Sequence, residues 1–180
     1  MQNLKTFDNS TYQPGKFLKR SLWYLISEFF FNTFIPYPNF VKRFLLKIFG
    51  AKIGKFVIIK PRVRIKYPWF LEIGDYSWLG EDVWIDNLDS VVIKDNVCIS
   101  QGAMIMSGSH NYKSAKFDLI TKRITIESGV WICAKSIVLQ GVRCKKNSIL
   151  STYSVAWSNL DRNSIYKGNP AVKIKERNNI

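Results

Sequence analysis

Histidine is almost missing from this chain: His110 is the only one in 180 residues. A single imidazole excludes zinc sites that draw several histidines from one chain. Cysteine is scarce as well. Cys98, Cys133 and Cys144 are odd in number and form no Cys-x-x-Cys pair. A disulfide framework is therefore not expected, and this usage suggests a reducing, cytoplasmic compartment. Acids are few, with 13 Asp and Glu against 27 Lys and Arg and a formal net charge of +14. Such a balance attracts anionic partners at long range. Nucleic acid, anionic lipid, a polyphosphate cofactor and an acidic glycan all satisfy it. Long hydrophobic runs are lacking too. The stretch from Leu22 to Ile35 is shorter than the roughly 20 residues that span a bilayer. Glu28 and Asn32 interrupt it, and Pro36 and Pro38 follow. The first twenty residues are polar and mixed, without the pattern of a secretory leader.

What the chain does have is a period. From Ile53 an aliphatic residue recurs every six positions: Ile53, Ile59, Ile65 and Leu71. The phase slips by two to Ile73, Leu79, Ile85 and Val91, then again to Ile93, Ile99 and Ile105. After a break, Ile126, Ile132, Val138, Cys144 and Leu150 resume it. Four residues after each of these runs a second ladder, mostly small or β-branched, as in Val57, Val63, Ser77 and Val83. Neither a helical period nor strict alternation yields a six-residue repeat. A triangular solenoid does, with one hexapeptide per face, the aliphatic residue inside and the small residue near the corner. Three divisions follow: a helical cap or arm over 1–50, a parallel β-helix over 51–161 from which a loop leaves at 111–123, and a tail over 162–180.

Several segments carry a resemblance beyond the period. Ile73-Gly74-Asp75-Tyr76-Ser77, Leu79-Gly80-Glu81-Asp82-Val83 and Ile126-Glu127-Ser128-Gly129-Val130 follow one hexapeptide pattern. To these are added Ser107-Gly108-Ser109-His110-Asn111-Tyr112 and, near the end, Gly168-Asn169-Pro170-Ala171. Together they resemble the hexapeptide-repeat acyltransferases, and within them the colanic-acid-type sugar O-acetyltransferases of bacterial exopolysaccharide synthesis. The resemblance covers about residues 20 to 175. It implies the left hand of the β-helix, a mainly β fold and acetyl-CoA as co-substrate, without a metal. It also implies a sugar or glycan acceptor and a homotrimer with its sites between subunits. Two departures stand out: Cys144-Lys145-Lys146-Asn147-Ser148 lacks the Gly or acid of the pattern, and Asn111 stands where the family usually has Asp.

Acetyl transfer to a hydroxyl needs a base, and imidazole suits that role near neutral pH. His110, at the repeat break and in the family's Ser-His motif, is the expected base. The resemblance implies an acid to fix its tautomer, with Asp118 first and Glu127 second. It implies Asp86 and Asn87 near the acceptor, Trp131 beside the acetyl group, and Gly129, Ala134, Ser136 and Gly141 along the pantetheine arm. Lys167, Lys173 and Lys175 would meet the phosphates. Cys144 falls on the inward ladder; a thiol nucleophile paired with His110 would give ping-pong chemistry, whereas the resemblance implies direct transfer.

Residues 17–49 read as one or two short helices, aromatic and flanked by Lys and Arg. A cap over the open end of the solenoid is the first reading. A peripheral anchor on anionic lipid, at the inner face of the membrane, is the second. Other functions stay on the table at this point. N-acetylation of an amino sugar would use the same base and donor, and a non-catalytic solenoid scaffold is more distant. A γ-type carbonic anhydrase shares the solenoid but needs several histidines. No nucleic-acid partner is expected, since no helix-turn-helix, zinc-finger or RNP motif is present.

Overall fold

A computed structural model describes residues 3–178 of the chain. The hexapeptide ladder becomes its interior. Ile53 stacks in parallel register on Ile73, then Ile93, Ile126 and Cys144. Ile59, Leu79, Ile99, Ile132 and Leu150 do the same on the second face, and Tyr166 completes that column. Ile65, Ile85, Ile105, Val138 and Ala156 line the third. Each coil gives one short strand to each of three sheets, of five, seven and five strands. The inward residues form one continuous core. Burying that apolar area, at roughly 25 cal/mol per Å², is the main stabilising term. The small ladder fits the corners: Val57, Val63, Val83 and Ala103 are buried beside the turns.

The corners carry a cost that stacking offsets. Between the first and second faces the chain turns through left-handed residues, Phe56, Tyr76, Asn96, Gly129 and Asn147. Left-handed backbone costs a non-glycine residue roughly 1 kcal/mol or more. Because each coil repeats the turn, the side chains stack. Phe56 lies on Tyr76 with centroids 5.1 Å apart. At the next corner, left-handed Arg62 and Asp82 form a paired hydrogen bond.

The N-terminal helices are α1 (Phe17–Phe30) and α2 (Asn39–Ile48). They close the open end of the first coil. Trp23, Phe31, Leu46 and Phe49 join the solenoid core. An open end would leave a row of backbone groups unpaired. The helices satisfy them: Trp23 Nε1 donates to the Ile65 carbonyl at 2.8 Å, and Lys42 Nζ to those of Ile59 and Lys60 at 3.0 and 3.2 Å. Asn39 Oδ1 accepts the Ile59 N–H at 2.7 Å. Burial pulls the Lys42 ammonium below its ordinary pKa. No helix among the described residues is long and apolar enough to cross a membrane.

Two segments differ from the sequence expectations. The loop expected at 111–123 is anchored by an antiparallel hairpin, Gly108–His110 against Leu119–Thr121. The tail expected from 162 is not separate. Ser164–Gly168 pairs in parallel with the Ile149–Leu150 strand, and Ala171–Glu176 folds back on it antiparallel.

Candidate active site

The hairpin rises from the corner between the third and first faces. Ser107, buried at its base, accepts the Asp89 N–H on Oγ at 2.8 Å. A Cβ at Gly108 would meet the end of the Leu88 side chain, which would have to shift to admit it. His110 ends the first hairpin strand. Its ring stacks on Phe117, centroids 4.1 Å apart and planes within 4°. Phe7, from the N-terminal arm, lies 5.6 Å away. The arm is held there by the Asn3 N–H on the Ala115 carbonyl at 2.8 Å and the Tyr12 hydroxyl on the Leu88 carbonyl at 2.7 Å.

The tautomer of His110 follows from one contact. Nδ1 lies 2.8 Å from the Phe117 carbonyl, which can only accept. Nδ1 therefore carries the proton, and Nε2 keeps its lone pair. The orienting group is thus a backbone carbonyl and not, as the sequence led us to expect, Asp118. Phe117, in left-handed backbone, turns its own carbonyl to the ring. Asp118 is exposed, with only its backbone carbonyl engaged by the Asn111 N–H. Glu127, the second expected partner, is engaged elsewhere, by Arg143 Nε at 2.6 Å and the Lys146 N–H at 2.8 Å. Burial pushes its carboxyl up, but these two donors outweigh it and leave the pKa below the usual value.

Asp86 and Asn87 share the corner with His110 but differ in kind. Asn87 is buried, and its amide is engaged by the Tyr67 backbone, at 3.0 Å through Oδ1 and 2.6 Å through Nδ2. Asp86 lines a cleft of about 650 Å³ between α1 and the third face. Its Oδ1 is 2.9 Å from Lys66 Nζ, yet the approach is too poorly directed for a hydrogen bond. Arg20 Nε, in the same cleft, is buried without a partner. Tyr24, Tyr67 and Trp84 supply aromatic walls. Arg20, Lys66 and Asp86 among aromatic walls suit a ligand with several hydroxyls.

The other expected residues lie elsewhere. Trp131 is half-exposed on the second face, its Nε1 donating to Ser100 Oγ at 2.9 Å. It borders a groove of about 520 Å³ with Lys175 and Arg177. Arg177, which the sequence did not single out, donates to the Gly129 and Asn147 carbonyls at 2.9 and 3.2 Å. Gly129 thus belongs with Trp131. The expected single run of Gly129, Ala134, Ser136 and Gly141 is not found within one chain, because hexapeptide spacing puts them at three different corners. Ser136 is buried, its hydroxyl donating to the Cys133 carbonyl. Ala134 sits at the turn between the second and third faces. Gly141 packs under Lys122 at the hairpin base. Lys167 is exposed on the last hairpin, and Lys173 pairs with Glu176. Burial pushes the Cys133 and Cys144 thiols up to about 11 and about 12, against thiolate chemistry. Among the described residues no three His, Cys, Asp or Glu side chains gather as a metal site.

A parallel β-helix with a histidine hairpin at one corner and a basic groove on the opposite face defines a class of acyl-transfer solenoid. Comparison with known proteins gives the family. No family model matches the chain. It is 35% identical over 181 residues to the Escherichia coli protein named "Putative colanic acid biosynthesis acetyltransferase WcaF", covering 98% of each chain. In structure it is similar to a Vibrio cholerae hexapeptide-repeat acetyltransferase solved with acetyl-coenzyme A, at a TM-score of 0.84, 18% identity and 97% of each chain. A maltose O-acetyltransferase from Clostridium difficile gives a TM-score of 0.83 at 20% identity over 99% of each chain. The chain belongs to the hexapeptide-repeat acetyltransferases.

Proposed function

We propose that the protein transfers the acetyl group of acetyl-CoA to a hydroxyl of a sugar in bacterial exopolysaccharide, O-antigen or capsule synthesis. His110 is the general base. The observation that carries this reading is the Nδ1 contact to the Phe117 carbonyl, which leaves Nε2 as the free acceptor. Nε2 takes the proton of the acceptor hydroxyl as its oxygen attacks the thioester carbonyl. The C–S bond then breaks, and the imidazolium returns the proton to the departing sulfur, giving free CoA thiol and the acetyl ester. The carbonyl also stabilises the imidazolium formed between these steps. The Asp86–Arg20 cleft holds the sugar, with Asn87 bracing the corner behind it. Similarity to a family member with a polysaccharide-pathway name and the charged groups lining an aromatic cleft support that acceptor class.

The donor lies along the second face, with Trp131 shielding the thioester and Lys175 and Arg177 near its phosphates; Gly129 supports Arg177. In a triangular coil the second face is opposite the corner that carries His110. One chain therefore holds the two halves of the site apart. A homotrimer resolves this by setting the hairpin of one protomer against the second face of its neighbour. The test is acetyl-CoA-dependent thiol release with sugar and nucleotide-sugar acceptors, with the product bond identified by mass spectrometry and alkali lability. An alkali-labile acetyl ester supports the reading. An alkali-stable acetamide as the sole product moves the acceptor to an amine.

A further inference from the structure

A cap on a solenoid needs an apolar inner face and a polar outer one. The inner face of this cap meets that need; the outer face does not. On α1, Leu18, Leu22, Leu25 and Phe29 fall at spacings of four, three and four, a single stripe on one side of a helix. On α2, Phe40, Phe44 and Ile48 do the same. All seven are 54 to 79% exposed. They point away from Trp23, Ser27, Lys42 and Leu46, the residues the helices bury. Phe34 and Ile35, in the link between the helices, are exposed as well. Packing on the solenoid does not use this layer, and of the seven only Leu25 also borders the cleft beside Asp86.

Charge identifies what covers it. Residues 1–64 hold twelve Lys and Arg against two Asp and Glu, so ten of the fourteen net positive charges lie in the cap and the coil it closes. Lys16, Lys47, Lys52, Lys55 and Lys60 are exposed and form no ion pair among the described residues. A second copy docked on the same face would bring two such clusters together, and like charges oppose that contact. An anionic bilayer offers both an apolar phase for the stripes and counter-charge for the rim.

We propose that the outer face of α1 and α2 lies in the surface of an anionic lipid bilayer, holding the solenoid end-on to the membrane. The inference does not depend on the reaction. Each basic side chain close to an anionic surface adds roughly fivefold to partitioning. The experiment is co-sedimentation of the full chain with phosphatidylcholine vesicles, with and without about one-quarter phosphatidylglycerol. The expected result is at least tenfold tighter partitioning to the anionic vesicles. Leu22→Glu with Leu25→Glu should lower it tenfold or more on both vesicle types. Lys16→Gln, Lys47→Gln and Lys52→Gln together should lower it only on the anionic ones. All five positions are exposed, and an unchanged unfolding midpoint establishes that the variants are folded. Absence of binding to anionic vesicles at low salt overturns the proposal. So does binding that ignores the leucine substitutions, and so does a concentration-dependent dimer that they abolish.

Discussion

In the solenoid walls each inward side chain rests on its equivalent in the next coil, as Ile59, Leu79, Ile99 and Ile132 do. Around His110 no residue has such an equivalent. Phe7 comes from the N-terminal arm, Phe117 from the far strand of the hairpin, and Leu88 from the coil beneath. The walls are supported many times over by one repeated contact, so their stability is spread along the axis. The corner depends on a few individual contacts, each with a single partner. Regularity supplies the rigid frame, and in the proposed mechanism its interruption supplies the chemistry. Loss of one wall contact should therefore reduce stability while sparing the reaction, and loss of one corner contact should do the reverse.

Four substitutions test that contrast. His110→Ala removes the proposed base, and kcat/KM should fall by about 10²–10⁴ with the unfolding midpoint unchanged. Ile99→Ala opens a cavity in the central column and should cost about 2–5 kcal/mol in denaturant unfolding, while folded enzyme at low temperature keeps its kcat. Gly108→Ala pushes the Leu88 side chain aside at the hairpin base, and a loss of activity of up to about tenfold, or roughly 1.4 kcal/mol, is expected. Adding Leu88→Ala should restore part of it, which a merely destabilising change would not show. Glu127→Gln is the smallest. The folded carboxyl lies below its ordinary value of 4.5, so its contribution is present above that pH and lost as pH falls through the lowered folded value. The variant should be less stable than the parent by under about 1 kcal/mol at neutral pH, and the gap should close as pH is lowered below 4.5.

The walls were legible because a period of six leaves each inward residue identifiable from its own position. The column from Ile53 to Cys144 follows from that period alone. His110 was legible for the opposite reason, as the lone imidazole at the break in that period. Its partner was not, because a backbone carbonyl has no residue type to signal it, and any of the residues after His110 could have turned one inward. Arg177 was missed likewise. It lies among terminal Lys and Glu residues, and only the fold-back of the last strand sets it against the Gly129 carbonyl. Gly129 and Gly141, both expected along the pantetheine arm, fall at different corners of one chain. Twelve residues of a hexapeptide repeat move the chain two-thirds of the way around the triangle.

Because the chain has a single histidine, the state of its ring can be observed without mutation. The decisive measurement is a nitrogen-15 correlation spectrum of histidine-labelled protein recorded at alkaline pH. The account predicts one imidazole with a protonated Nδ1 and an unprotonated Nε2, the Nε2 signal shifting when an acceptor sugar is added. A spectrum showing the proton on Nε2 would contradict it.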